Sequence, residues 1–249
     1  MRKITPDIID RVKKIRELSK IPMKTEQETK RVDIIMLKYK EEPRVIDKAI
    51  SLIVNNTDWP FKLTVYDNRL NTANTARIWN KLIAESTCDY QLVIDSDAFV
   101  SRSEPCWLTR LMENIDECGI VYPVGDNVGG LNGGVAVPEP YGSKVKLPED
   151  IKIDDVAIGD RVCSGYCFLI KREALKKSGW FDENFYIYGE DSEWSWRAIK
   201  TIGTIIRRDV FVSHLSSYSF DKADKEGEVD KFADKEYARR LFCYKTGIK

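Results

Sequence analysis

From residue 32 onward, short apolar runs alternate with segments of helical spacing, and this rhythm restricts the chain more than any other feature. Residues 32–37 (VDIIML), 61–66 (FKLTVY) and 90–94 (YQLVI) read as strands. Between them, 44–54 carries Val45, Ile46, Ala49, Ile50 and Ile53 at helical spacing, and 74–86 carries Ile78, Leu82 and Ile83 on one face. A helix over 106–117 and a strand over 119–122 continue the series. Strands that are apolar on both sides need cover on both faces, and intervening helices supply it. The expected fold is therefore α/β, with a mostly parallel central sheet flanked by helices.

The rhythm stops at 123–161, where Gly, Pro and Asn crowd the stretch GDNVGGLNGGVAVPEPYG. This reads as one long loop, and long loops in compact domains tend to be functional. Order resumes with a strand over 167–170, a helix over 172–178 and a helix over 192–202 closed by Gly203. Two strand pieces follow, 204–206 and 210–212. A charged helix over 224–245 comes last, with Val229, Phe232, Ala233, Tyr237, Leu241 and Phe242 as its packing side.

With 249 residues, of which 43% are hydrophobic, one large domain with a real core is expected. The 40 Lys and Arg are balanced by 40 Asp and Glu, which excludes a general nucleic-acid binder. No apolar run is long enough to span a membrane, and the charged first twenty residues lack the apolar core of a secretory signal. Six scattered cysteines form no disulfide framework, and Cys163 and Cys167 lack a second pair for zinc. They read as buried thiols of a reducing compartment, so the expected location is cytoplasmic. The charge is unevenly spread: residues 1–24 hold eight basic and three acidic side chains, and 239–249 hold four basic and none acidic. A helix over 6–20, with Ile8, Val12 and Ile15 on one face, fits the outside of the domain. The alternative for it is peripheral contact with an anionic membrane. The expected division is 1–30 as helix and linker, 31–220 as the main domain, and 221–249 as a C-terminal helix packed on it.

Two stretches carry chemistry. Asp95, Ser96 and Asp97 follow an apolar strand directly, and open parallel sheets bind ligands beyond the carboxyl ends of their strands. If extended geometry continued, residues 95 and 97 would face one side, and two carboxylates there suit a divalent cation shared with phosphates. The second stretch runs from Gly179 to Arg197, GWFDENFYIYGEDSEWSWR, and the only histidine, His214, comes after it.

In these residues the chain resembles the large glycosyltransferase family 2 and its relatives, enzymes of the GT-A fold. The shared elements appear in order over about 32–217: a carboxylate after the second strand, the Asp-x-Asp, a G-x-F-D-E-x-F stretch, a Glu-Asp pair opening a helix, an Arg within it and a later His. The resemblance implies a metal-dependent, inverting transfer of a sugar from a nucleotide-diphosphate donor, UDP- or GDP-linked, to a carbohydrate or other hydroxyl acceptor. It implies nucleotide contacts from Tyr39, Asp67, Arg77, Asn80, Asp95 and Ser96. It implies Mn²⁺ or Mg²⁺ held by Asp95, Asp97 and His214, a catalytic Glu190–Asp191 pair with Asp191 as base, and Trp180 against the acceptor. The loop after Asp67 departs from the family pattern, since Arg69 follows Asn68.

Two other readings compete. A sugar nucleotidyltransferase needs a Gly-rich phosphate cradle after the first strand, where this chain has Leu37-Lys38-Tyr39-Lys40-Glu41. A non-catalytic sugar-nucleotide binder has no need of the full Asp95, Asp97, Asp191 and His214 set.

Overall fold

The computed structural model describes residues 30–68, 74–126, 131–133, 142–145, 162–185, 188–215, 225 and 231–246. The helix expected over 6–20 and most of 134–161 lie outside them. The first half follows the expected alternation. Strand β1 (Val32–Lys38) leads to α1 (Pro43–Asn56), β2 (Phe61–Asp67), α2 (Thr75–Glu85) and β3 (Tyr90–Asp95). Pro43 opens α1 at a position where its missing N–H costs nothing, and Asn74 caps α2 by accepting from the Arg77 amide at 2.9 Å.

Next come β4 (Ala98–Val100), α3 (Trp107–Glu113), α4 (Ile115–Cys118) and β5 (Ile120–Val124). The single helix expected over 106–117 breaks at Asn114, whose backbone (φ −111°, ψ 3°) leaves the helical region. Strand β6 (Gly142–Val145) lies inside the stretch read as one loop. Strand β7 (Cys167–Lys171), α5 (Arg172–Ser178), α6 (Glu190–Thr201), β8 (Thr204–His214) and α7 (Lys231–Thr246) complete the described chain.

The eight strands form one sheet in the order β2-β1-β3-β7-β5-β8-β4, with β6 also paired to β8. The sheet is mixed rather than mostly parallel. β1 runs parallel to β2 and β3, and β5 to β8, but β7 is antiparallel to both neighbours, as β4 and β6 are to β8. The reason lies in the connections. The segments just past β5 and just before β7 meet at one end of the sheet: the Gly125 amide bonds to the Asn132 carbonyl, and the Leu131 amide bonds to the Val162 carbonyl. β7 therefore starts where β3 and β5 finish and must run back the other way.

β8 is one strand, not two pieces. The charged Arg207-Arg208-Asp209 stretch looks like a break, yet it is a bulge: Pro123 pairs with Arg207 and Val124 with Phe211. Arg207 and Asp209 are buried there as an ion pair at 2.7 Å, joined by Arg110 and Glu113.

Alternate strand residues feed two cores. Ile34, Met36, Leu92, Ile94 and Leu169 meet α1 and α3 on one face, where Trp107 is the largest member. Ile35, Val93, Phe168 and Ile170 meet α2, α5 and α6 on the other. A third cluster, Phe185, Trp196, Ala238 and Phe242, docks α7 on α6. Tyr237, expected on that packing side, is instead 51% exposed.

Candidate active site

The Asp-x-Asp motif is shaped by a turn. β3 ends at Asp95, residues 96–97 turn, and β4 begins at Ala98. The two carboxylates thus share a side for a different reason than strand alternation. β4 pairs antiparallel with the end of β8, so that Ala98 faces His214 across the ladder. The Leu215 amide extends the pairing to the Asp97 carbonyl at 3.2 Å. His214 Nε2 lies 3.3 Å from Asp95 Oδ2 and 3.2 Å from Asp97 Oδ1. One donor atom from each of the three residues falls within 4.8 Å of the others, the only such His, Cys, Asp or Glu group among the described residues.

This donor set fits a divalent cation. Two carboxylate oxygens and an imidazole nitrogen suit Mn²⁺ or Mg²⁺, with the imidazole favouring Mn²⁺. Asp97 is nearly buried while the Asp95 side chain is 39% exposed at the rim, so the cluster is open on one side. Without a cation the carboxylates hold a proton on the ring. Burial works against the charged imidazole, but its hydrogen bonds to Asp95 and Asp97 outweigh that and lift its pKa to about 10. Desolvation on its inner side holds the Asp95 carboxyl above its ordinary value, opposed by His214 and reinforced by Asp97.

Asp126, which no sequence pattern singled out, fixes the histidine. Its Oδ1 accepts the His214 amide at 2.9 Å, and its Oδ2 accepts the Ser213 hydroxyl at 3.2 Å. Tyr166 stacks on the imidazole with ring centres 5.2 Å apart.

Asp191 sits in the first turn of α6, as the Glu-Asp pair leads one to expect. Gly189 opens that helix at φ +88°, a conformation that disfavours any side chain. Asp191 Oδ2 accepts the Gly165 amide at 2.8 Å, and Oδ1 accepts the Ser192 amide at 2.7 Å. A Cβ at Gly165 would stand 2.5 Å from Asp191 Cβ, so this approach requires glycine. Burial raises the Asp191 carboxyl, while the Gly165 and Ser192 donors resist the rise. Glu190 is buried beside it, its Oε2 without a hydrogen-bond partner among the described residues. Burial, then Asp191 and Asp95, push the Glu190 carboxyl well above the usual range.

The two carboxylate groups are tied to one strand start. Gly165 donates to Asp191, and the next residue, Tyr166, accepts the Asp95 amide at 2.9 Å. Asp191 and the Asp95–Asp97–His214 cluster thus hang from adjacent residues.

Asp67 ends β2 and pairs with Lys38 at 3.0 Å, across the parallel register that joins them. Tyr39 is buried just after β1, its amide bonded to Glu41 at 2.7 Å. Ser96 is buried, its hydroxyl unpartnered among the described residues. Arg77 and Asn80 are engaged elsewhere. Arg77 pairs with Glu183 at 2.9 Å, and Asn80 clamps the Phe181 backbone on both its N–H and its C=O. Their position one helical turn apart on α2 serves the 181–185 segment. Trp180 is 42% exposed, with its carbonyl held by Arg197. Within the same motif, Phe181 and Phe185 are core residues. Cys163 and Cys167 are buried free thiols.

The sequence pattern of glycosyl transferase family 2 matches residues 34–179, more than half of the chain. The chain belongs to glycosyl transferase family 2. Its architecture is the GT-A fold. Among solved structures it is similar to GalNAc-T7, determined with UDP, GalNAc and Mn²⁺, at 13% identity and a TM-score of 0.53 over 74% of this chain and 43% of that one. It is also similar to TarS of S. aureus, at 16% identity and a TM-score of 0.53 over 79% of this chain and 38% of that one. This chain spans about two fifths of the length of these two proteins. No curated protein sequence matches it. Among the described residues no helix is long and apolar enough to cross a membrane.

Proposed function

We propose that this family 2 protein is a metal-dependent inverting glycosyltransferase, which moves a sugar from a nucleotide-diphosphate donor to a hydroxyl acceptor. The observation that carries the reading is the junction at 165–166, where a buried carboxylate and an Asp-Asp-His cluster hang from successive residues. A transferase of this class needs both, side by side: one group to take the acceptor's proton, another to anchor the leaving diphosphate.

Asp95, Asp97 and His214 would hold Mn²⁺ or Mg²⁺, which when bound supplies Lewis-acid neutralisation of the departing diphosphate. Asp191 accepts the proton of the attacking hydroxyl. Two backbone amides and the Ser192 hydroxyl fix the carboxylate, and burial makes it more basic than a surface aspartate. The bond from the acceptor oxygen to the anomeric carbon forms as the bond to the diphosphate oxygen breaks, so the configuration inverts. Burial pushes the neighbouring Glu190 toward its protonated form, which limits the negative charge beside the base. Asp67 and Tyr39 line the carboxyl ends of β2 and β1, where the nucleoside is expected, and Trp180 offers an exposed ring to an acceptor sugar. A UDP-sugar is the first donor to try, since a protein of the same fold binds UDP and Mn²⁺.

The experiment is nucleotide-diphosphate release from UDP- and GDP-sugars with and without Mn²⁺, followed by NMR of the product. Release that depends on Mn²⁺, is lost in Asp97→Asn and gives the inverted anomer is expected. Turnover that survives EDTA, or a retained anomer, would sink the reading.

A further inference from the structure

Asn132 lies in the Gly-rich stretch where the sequence shows no signature, yet its side chain is fully buried. A buried amide must find partners, and this one makes a two-bond pair with a single residue. Its Nδ2 donates to the Ser164 carbonyl at 3.1 Å, and its Oδ1 accepts the Ser164 amide at 2.8 Å. The side chain thus copies a neighbouring strand. The residue after Ser164 is Gly165, whose amide holds Asp191. The backbone of Asn132 reaches the other way: its carbonyl accepts the Gly125 amide at 3.1 Å. The residue after Gly125 is Asp126, whose carboxylate holds the His214 amide and the Ser213 hydroxyl. Leu131, just before, donates to Val162 at 2.8 Å and fastens the same segment to the start of β7's approach.

We propose that Asn132 is a positioning residue that holds the Asp191 arm and the His214 arm of the site in register with each other. It touches neither side chain. It acts through Ser164–Gly165 on one and through Gly125–Asp126 on the other. A buried asparagine suits this task because it offers a donor and an acceptor in one plane without a charge. An ionised neighbour would disturb Asp191, which is already crowded. Glu190 stands beside it on α6, Tyr122 faces it from β5 and Cys163 from the 162–165 segment. Burial holds all three toward their protonated forms. The Gly165 amide is among the groups that keep Asp191 from rising further.

The inference rests on Asp191 as base and His214 as ligand, so it is tested without turnover. Full-length wild type, Asn132→Ala and Asn132→Asp are labelled with ¹⁵N-glycine, and the Gly165 amide is followed through a pH titration. Mn²⁺ affinity is measured on the same samples by calorimetry. In the wild type the Gly165 amide resonance is expected to follow the Asp191 titration. In both variants it should move upfield with its titration shifted to higher pH, and Mn²⁺ affinity should fall about 10–100-fold, the usual effect of losing a group that orients a ligand. Asn132→Asp keeps the size and the acceptor for Ser164, so it carries the test if Asn132→Ala does not fold; because its own charge would raise Asp191, that variant is read by the Gly165 amide shift and the Mn²⁺ affinity rather than by the titration. A wild-type Gly165 titration or a wild-type Mn²⁺ affinity in a folded variant overturns the proposal, even with a lowered melting temperature. A wild-type chain that binds Mn²⁺ but releases no nucleotide diphosphate would refute the proposed function and leave these two readings standing.

Discussion

Two opposing demands meet at Asp191, the base of the proposed transfer. A general base works best when its pKa approaches the operating pH, but it must also lose its proton before the acceptor arrives. Burial answers the first demand and the Gly165 and Ser192 donors the second. Asp191→Asn keeps the shape and takes no proton, so turnover should fall by about 10²–10⁴-fold with donor affinity nearly unchanged, as single-turnover kinetics and nucleotide titration would show. A matching loss of nucleotide affinity would place Asp191 in donor binding instead. Glu190 makes a different prediction. Its folded pKa is raised, so its contribution to stability is complete below the unfolded carboxylate range and is lost as pH rises through the folded value. Glu190→Gln lacks that loss. Its melting temperature should gain on the wild type between pH 5 and pH 8, and a constant gap across that range would mean that Glu190 ionises like a surface acid. Neither residue's environment was legible in the sequence. The Glu-Asp pair marked a helix start, but whether the dipole or the burial governs it depends on Gly165, twenty-six positions away.

At the scale of elements, local pattern read the first half of the sheet well, because β1, β2 and β3 are joined by helices and each hydrophobic run belongs to one strand. It failed where long-range partners decide. Ala98–Val100 is too short to stand out and exists as β4 because β8 pairs with it. Arg207 and Asp209 interrupt the apolar run of β8 and so read as a gap, yet they satisfy each other inside the fold. The antiparallel β7 is approached from Val162, which is bonded to Leu131 beyond the end of β5, a long-range contact that no local signal announces. The Arg207 guanidinium reaches Asp209, Glu113, the Asn114 side chain and the Arg110 carbonyl. Breaking a buried pair from one side costs about 3–5 kcal/mol, and Arg110 remains to meet Asp209, so Arg207→Ala should cost near the lower end, about 3 kcal/mol. Urea unfolding measures it. A loss under about 0.5 kcal/mol, the size of an ordinary surface change, would show that water already shares these charges.

For the molecule as a whole, the site is an assembly of parts remote in sequence: the end of β3, the end of β8, the turn after β5, the approach to β7 and the start of α6. The Asp-x-Asp, the Glu-Asp pair and His214 were visible in the chain as chemistry. The groups that bring them together, Asp126, Asn132, Gly165 and Tyr166, were not, since each works through backbone contacts that only the folded topology creates. Such a site couples metal binding to global stability. The unfolded chain scatters Asp95, Asp97 and His214 over more than a hundred residues and has little affinity for the ion, so the folded state alone gains from binding. A ligand at a hundred times its Kd then stabilises by about 2.7 kcal/mol. Mn²⁺ should therefore raise the melting temperature of the wild type by several degrees, and adding UDP should raise it further because the diphosphate shares the cation. Asp97→Asn should abolish the Mn²⁺ increment and with it the extra gain from UDP. Asp191→Asn should keep both, since its carboxylate lies outside the cation's donor set. If Mn²⁺ shifts Asp97→Asn as far as it shifts the wild type, the ion binds somewhere other than the β3–β8 junction, and the chemistry assigned to that junction is lost with it.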